Sequence, residues 1–348
     1  MNHPAISIII PTFNRNQLLQ QTLNSLQKQT FKDWEALVVD DRSEDATEES
    51  VLQMCKAEPR IRYIKRNITP SGPSVCRNEG TNASKGKYII YLDSDDCFAP
   101  GALENRFREM ELRPELDFGV FPCVVFQNQP GDMRFLWNLI DSDQNDIDRF
   151  LSLDIPWQTA SPIWRRAAIL KLGFWNSNLL QWDDWEYHLR AIIMNLSYEK
   201  FYKPDLFWRT NKINTKDSLS EKPIPADKLG IYEQLFLQIQ QLLSEAGLLT
   251  EKRLMLFVGL YYWLAQAWEK VGSKQDALRV WTLCYQKELV DYKFYREGKW
   301  YIKNIAHLPL IRRWFKKYLL ITWPPEFIVG SKTLHKTPLP EALLPPAY

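Results

Sequence analysis

A chain of 348 residues with 45% hydrophobic content is long enough to bury one large core or two ordinary ones. A formal net charge of +2 lacks the concentrated basic excess of a nucleic-acid-binding protein, so that class is set aside. Five cysteines, Cys55, Cys76, Cys97, Cys123 and Cys284, are odd in number, scattered and without a CxxC pair, which points to a reducing compartment.

The first hundred residues alternate between short apolar runs and helical spacing. ISIII at 6–10 reads as a strand covered on both faces. In LLQQTLNSLQKQ, Leu19, Leu23 and Leu26 share one helix face, with Asn14 or Asn16 as the cap. WEALVVDD at 34–41 is a second strand, DATEESVLQMCKA a second capped helix with acids in its first turn, and IRYIK at 61–65 a third strand. A turn at SGPS, a helix through VCRNEGTNASKG to Gly86 and the strand KYIIYLD complete the order βαβαβαβ. This order predicts an α/β fold with a mostly parallel central sheet flanked by helices, whose ligands bind beyond the carboxyl ends of the strands. Asp40 and Asp41 end the second strand and Asp93 to Asp96 follow the fourth, so both acidic clusters are expected on one edge.

DFGVFPCVVF (117–126) and EKFYKPDLFW (199–208) read as two further strands with a Trp-rich helical segment between them. SEKPIPAD (220–227) reads as a linker, and helical patterns follow. Within these, Ala265, Trp268, Gly272, Ala277 and Trp281 loosely match one tetratricopeptide unit, although stacked repeats need about three for stability. The expected domains are a catalytic region at 1–222, an α-helical region at 223–330 and a Pro-rich tail at 331–348. No basic leader precedes the apolar run that stops at Pro11, and the uncharged stretch from Leu254 to Trp268 falls short of the roughly 20 residues a span requires. A cytoplasmic protein is the expectation.

Three carboxylates, Asp93, Asp95 and Asp96, stand directly after a buried strand with only Ser94 among them. Strand alternation would turn Asp93 and Asp95 to one side, toward a hard cation such as Mg²⁺ or Mn²⁺ that also holds phosphate oxygens. The bland alternative is a loop whose acids cap the next helix, but a cap needs only one of them. In QWDDWEYHLRAII (181–193) a helix is expected to start at the aspartates and bury Trp185, Leu189 and Ile192 or Ile193. His188 lies four residues after Asp184 on the same face, where it reads either as a partner of that carboxylate or as an ordinary partly buried histidine. Five tryptophans, Trp157, Trp164, Trp175, Trp182 and Trp185, crowd this region; most read as core, while Trp182 adjoins the acids and could floor a sugar subsite.

Four segments together, ISIIIPTFNR, VVDDRSEDAT (38–47), GPSVCRNEGTNASKGKYIIYLDSDD and LQWDDWEYHLRA, make the chain resemble the inverting family 2 glycosyltransferases from residue 5 to about 210. The resemblance implies the nucleotide-diphospho-sugar transferase fold and a nucleotide-sugar donor. It implies that Pro11, Thr12 and Asn14 hold base and ribose, that Asp41 contacts a uracil ring, and that Arg77 lies near base and diphosphate. Asp93 and Asp95 would form the DxD motif, with Asp93 toward ribose, Asp95 at the metal and Asp96 a further metal contact. The family's usual Glu-Asp pair is followed six residues later by Arg; Asp184 and Arg190 keep that spacing, while Asp183 replaces the Glu. Asp184 is thereby the expected general base, with Asp183 and Trp182 toward the acceptor.

The resulting expectation is a metal-dependent enzyme that moves one sugar, with inversion, from a UDP-linked donor to a saccharide or lipid-linked saccharide acceptor in surface polysaccharide assembly. No processive-synthase motif of Gln, Arg and Trp is evident. One alternative is a nucleotide-sugar-binding protein without turnover; another is a sugar nucleotidyltransferase, although PTFNRNQ lacks the Gly-rich loop of that class. LIRRWFKKYLLITW (310–323) sets Arg312, Arg313, Lys316 and Lys317 among apolar residues, suiting either peripheral contact with the inner membrane face or a solvated basic helix face.

Overall fold

The computed structural model describes residues 3–210, 223–304 and 337–338. Its first elements are β1 (Ile6–Thr12), α1 (Asn16–Gln27), β2 (Trp34–Asp40), α2 (Thr47–Ala57), β3 (Ile61–Lys65), α3 (Pro73–Ala83) and β4 (Tyr88–Tyr91), in the order read from the sequence. Next come β5 (Cys97–Phe98), α4 (Ala102–Leu112), β6 (Phe118–Val120), β7 (Cys123–Phe126), β8 (Phe135–Leu136), α5 (Asp146–Leu151) and β9 (Pro162–Arg165). Then follow α6 (Arg166–Leu172), α7 (Asp183–Ile193), β10 (Tyr198–Lys200) and β11 (Leu206–Arg209). Helices α8 (Ala226–Glu245), α9 (Glu251–Lys270), α10 (Lys274–Gln286) and α11 (Tyr292–Asn304) precede the short β12 (Thr337–Pro338).

Two compact units result: Met1–Ser142, Pro156–Asp217 and Thr333–Tyr348 form the first, Asp143–Ile155 and Ser218–Lys332 the second. The excursion at 143–155, inside the range assigned above to the catalytic region, belongs to the helical unit because α5 is tied to α9. The Asp148 carboxylate accepts from Arg253 Nε at 2.8 Å and from Lys252 Nζ at 2.7 Å. The basic segment at 310–323 and nearly all of the Pro-rich tail lie outside the described residues. Among the described residues no helix is long and apolar enough to cross a membrane.

The first unit is built on a seven-stranded sheet of order β10-β6-β9-β4-β1-β2-β3. β1 pairs in parallel with both β2 and β4, and β9 enters antiparallel between β4 and β6. Every residue of β1, β2 and β4 is buried, as a strand covered on both faces requires. The chain winds from β1 toward β3 on one side and returns to β4 on the other, so the sheet's switch point lies at β1. The carboxyl ends of β4, β1 and β2 therefore stand side by side: Thr12 pairs with Asp40, and the Leu92 N–H reaches the Ile9 carbonyl at 2.9 Å.

Helix α1 buries Leu19, Leu23 and Leu26 completely, as their spacing predicts. Its cap differs from expectation: Arg15 occupies the N-cap position and neither Asn14 nor Asn16 caps it. Asn14, at φ 50°, instead accepts the Glu44 N–H at 2.8 Å, and the Asp45 carboxylate accepts the Asn16 N–H at 3.1 Å. The loops after β1 and β2 thus fasten each other, which fixes the rim of the sheet.

The segments 117–126 and 199–208, each read as a single strand, are each two. β6 and β10 pair with each other in the large sheet, whereas β7 and β11 pair in a second sheet of order β12-β8-β7-β11-β5. Pro122 and Pro204 fall in the breaks, where a residue without an N–H cannot continue a ladder.

Helix α3 lies against β1 through Gly80, where an added Cβ would stand 2.4 Å from Ile9 Cγ2 and 3.2 Å from Val39 Cγ2. Gly80→Ala should therefore destabilise the fold by about 1–3 kcal/mol through overpacking. Urea unfolding followed by circular dichroism measures this, and an unchanged midpoint would mean that the helix can move off the sheet at no cost.

Candidate active site

Asp41, one residue beyond β2, is buried, and both its oxygens are engaged. Oδ1 accepts from Arg66 Nη1 at 2.6 Å, and Oδ2 accepts the Gly72 N–H at 2.7 Å. Gly72 caps α3 with φ 130° and ψ 168°, a conformation that a side chain disfavours. Arg66, 3% exposed, also donates to Glu79 at 3.0 Å and to the Pro70 carbonyl at 3.0 Å, so one guanidinium binds the whole turn leading into α3. Beside it Pro11 and Thr12 are buried at the end of β1, and Thr12 Oγ1 has no hydrogen-bond partner. Asp40 supports the fold: it accepts the Ser43 N–H at 2.9 Å and the Tyr63 hydroxyl at 2.5 Å.

The acidic cluster does not behave as a continued strand. β4 ends at Tyr91, and Asp93 to Asp96 form a turn in which the Asp96 N–H donates to the Asp93 carbonyl at 3.2 Å. Alternation therefore no longer governs where Asp93 and Asp95 point, which corrects the reading of them as a continued strand, and each meets a different arginine. Asp93 accepts from Arg77 Nη2 at 2.8 Å, and Asp95 pairs with Arg15. Asp96 Oδ1 accepts the Arg209 N–H at 3.0 Å, while its Oδ2 is buried without a partner. Arg209 also donates from Nε to the Asp95 carbonyl at 3.1 Å. Burial raises the Asp95 carboxyl, an effect that Arg15 opposes and Asp93 reinforces. Asp96 is pushed well above the usual carboxylate range by burial and then by Asp95 and Asp93. Among the described residues no group of three or more His, Cys, Asp or Glu side chains is arranged to hold a metal.

The third contribution comes from α7, which begins at the two aspartates as the sequence predicts and buries Trp185, Leu189 and Ile193. Asp183 Oδ2 accepts from Ser74 Oγ at 2.7 Å and from Arg77 Nη1 at 2.6 Å. Asp183, expected toward an acceptor, thus faces α3. Asp184, the next residue round the helix, is half-buried; its Oδ1 accepts the Trp185 N–H at 2.8 Å, and Thr159 Oγ1 stands 3.5 Å from Oδ2. Burial and the neighbouring Asp183 raise the Asp184 carboxyl to about 6 against the opposing pull of Arg77. Arg190 fixes the helix by donating to Glu186 at 2.5 Å and to the Phe174 carbonyl at 2.9 Å.

His188 is wholly buried, stacked on Trp164 with ring centroids 5.9 Å apart and flanked by Trp157, Trp175 and Tyr187. Burial lowers it to about 3, so it is a neutral core residue. Trp157, Trp164, Trp175 and Trp185 are core as well, each at most 2% exposed. Trp182 alone of the five keeps partial exposure, held at φ 64° immediately before the acids.

Arg77 is the centre of this constellation. It is 3% exposed, forks between Asp93 and Asp183, and lies 4.5 Å over the Trp175 ring. Burial alone would lower its pKa, but Asp183 and Asp93 outweigh burial and keep it charged. Sequence reasoning located Arg77 but missed Arg15, Arg66 and Arg209, the counter-charges of Asp95, Asp41 and Asp96. The available signal was the rule that buried carboxylates need a positive partner.

The sequence model described as "Glycosyl transferase family 2" matches residues 7–169, which run from within β1 through β9 and include the turn bearing Asp93 to Asp96. A GalNAc(5)-diNAcBac-PP-undecaprenol beta-1,3-glucosyltransferase of Campylobacter jejuni is 40% identical over 100 residues, 29% of this chain and 32% of that protein. A poly(ribitol-phosphate) beta-glucosyltransferase of Bacillus spizizenii is 37% identical over 100 residues, 28% of this chain and 16% of that protein. Each match thus spans a third or less of the relative's own length. In fold, the chain is similar to Staphylococcus aureus TarS 1–349, solved with UDP-GlcNAc, at a TM-score of 0.58 and 17% identity, covering 89% of this chain and 92% of that one. The sheet and its switch point agree with this sequence match, and residues 7–169 carry the glycosyl transferase family 2 pattern.

Proposed function

We infer that the protein transfers a single sugar from a UDP-linked donor to a saccharide acceptor with inversion, in the assembly of a surface or lipid-linked glycan. The observation that carries this reading is the Arg77 fork, which joins Asp93 of the acidic turn to Asp183, the neighbour of Asp184. A donor-side carboxylate is thereby tied, through one buried guanidinium, to the residue beside the candidate base. The names of the Campylobacter and Bacillus relatives support a lipid-linked or polymeric acceptor.

In this reading Asp41, with its charge balanced by Arg66, accepts an N–H from the base, while Pro11, Thr12 and Asn14 form the floor under base and ribose. Asp93 receives the ribose. A hard divalent ion fits the turn: Asp95 and the unpartnered buried Oδ2 of Asp96 are oxygen donors, and Mg²⁺ or Mn²⁺ needs only one or two carboxylates when phosphates complete the shell. When bound there, the cation would neutralise charge on the leaving diphosphate. Asp184 takes the proton of the acceptor hydroxyl, which is a poor nucleophile until it is deprotonated. Trp182 offers a flat apolar face to the acceptor sugar. Attack from the side opposite the diphosphate inverts the anomeric centre.

The test is UDP release and product formation from a panel of UDP-, GDP- and dTDP-sugars, with Mn²⁺ or with EDTA, followed by NMR of the product anomer. Metal-dependent UDP release with an inverted product is the expected result. Retention at the anomeric carbon, or no turnover of any nucleotide-sugar in the presence of a lipid-linked saccharide, would overturn the reading.

A further inference from the structure

Helix α11 has two faces of different character. Tyr295, Gly298, Tyr301 and Ile302 are buried. Gly298 packs so closely on α10 that an added Cβ would stand 2.4 Å from the Trp281 ring, and Trp281 Nε1 donates to the Tyr295 carbonyl at 2.9 Å. That face is satisfied within the helical unit. At the spacing i, i+4, i+8 and i+11, the opposite face carries Tyr292, Arg296, Trp300 and Lys303, with Lys293 beside them. Tyr292 is 61% and Trp300 53% exposed, an unusual amount of accessible aromatic surface for one side of a helix. Among the described residues Arg296 and Lys303 have no ion pair, and Lys299 extends the basic edge while donating to the Tyr295 hydroxyl at 3.0 Å.

We propose that this face of α11 docks on an anionic lipid surface. Tyr and Trp combine an apolar body with a polar tip, which suits the headgroup level of a bilayer. The interleaved arginine and lysines complement lipid phosphates, each basic charge strengthening attachment by about fivefold near an anionic leaflet. The same charges disfavour the other obvious occupant, a second copy of the chain, because a twofold contact would set this basic face against itself. This docking is separate from the sugar-transfer chemistry and from the basic segment at 310–323.

Co-sedimentation of the full chain with vesicles of phosphatidylglycerol and phosphatidylcholine, against phosphatidylcholine alone, tests the assignment. Binding should require the anionic lipid, weaken with salt, and fall roughly twenty-five-fold in the double variant Arg296→Gln, Lys303→Gln. Tyr292→Ala with Trp300→Ala should weaken it independently, with the circular dichroism spectrum retained and UDP release from a soluble donor unchanged. The variant with Arg312, Arg313, Lys316 and Lys317 changed to Gln should keep the sensitivity to the α11 substitutions. Unaltered vesicle binding in both α11 variants, no binding by the parent chain, or a concentration-dependent dimer that the α11 variants dissolve would each overturn the proposal.

Discussion

Asp184→Asn should lower kcat by about 10²- to 10⁴-fold, the worth of a positioned proton acceptor, and leave nucleotide-sugar affinity nearly unchanged. The amide keeps the size of the side chain and an oxygen for the Trp185 N–H, which approaches Asp184 Oδ1 at 2.8 Å. It removes only the ability to take a proton. Donor affinity should survive because Asp183, not Asp184, holds Arg77. The pH dependence distinguishes this role from a structural one. With its carboxyl raised to about 6 by burial and by Asp183, Asp184 is ionised at neutral pH and protonated below that value. The wild-type kcat/KM should therefore fall on the acid side of about pH 6, and the residual activity of the variant should lose that limb. The sign for stability is opposite. A carboxyl that binds its proton more tightly folded than unfolded adds stability below its ordinary value of 3.8, and this is lost as pH rises through about 6. Asp184→Asn should thus be no less stable than the parent at pH 7.5. Steady-state kinetics and calorimetric donor titration provide the check; turnover within tenfold of the parent would remove Asp184 from the role of base.

The elements that place this site were legible because short-range pattern determines them. Seven consecutive elements, from β1 to β4, follow the alternation of apolar runs with helical spacing, and the faces of α1 and α7 follow from Leu19, Leu23 and Leu26 and from Trp185, Leu189 and Ile193. What the pattern could not supply was pairing at a distance. Arg15 lies 80 residues from Asp95, and the Arg209 N–H reaches Asp96 across 113 residues. Apolar content likewise marked 117–126 and 199–208 as extended but could not say that each segment serves two sheets. Two readings failed for local reasons. Strand alternation was carried past Tyr91 into a turn, where it does not apply to Asp93 and Asp95, and Asn14 looked like a helix cap although its positive φ sends the side chain to the neighbouring loop. His188 shares a helix face with Asp184 by spacing, yet the aromatic cage formed by Trp157, Trp164 and Trp175 accounts for it without chemistry.

Arg77→Gln should destabilise the protein by about 3–5 kcal/mol, because it strands two carboxylates that one buried guanidinium now neutralises. Asp183 would keep only the Ser74 hydroxyl at 2.7 Å, and Asp93 would lose its 2.8 Å partner. The loss is not merely structural. Arg77 opposes the burial and Asp183 effects that raise Asp184, so its removal should move the acid limb of kcat/KM upward from about 6. Arg77→Lys separates the two contributions. An ammonium keeps the positive charge but cannot fork to Asp183 and Asp93 at once, so most of the stability and the position of the limb should return while kcat stays low. Denaturant unfolding and pH profiles of both variants read these effects separately. If lysine restores turnover along with stability, Arg77 contributes charge alone, and the coupling between the acidic turn and the candidate base does not depend on its geometry.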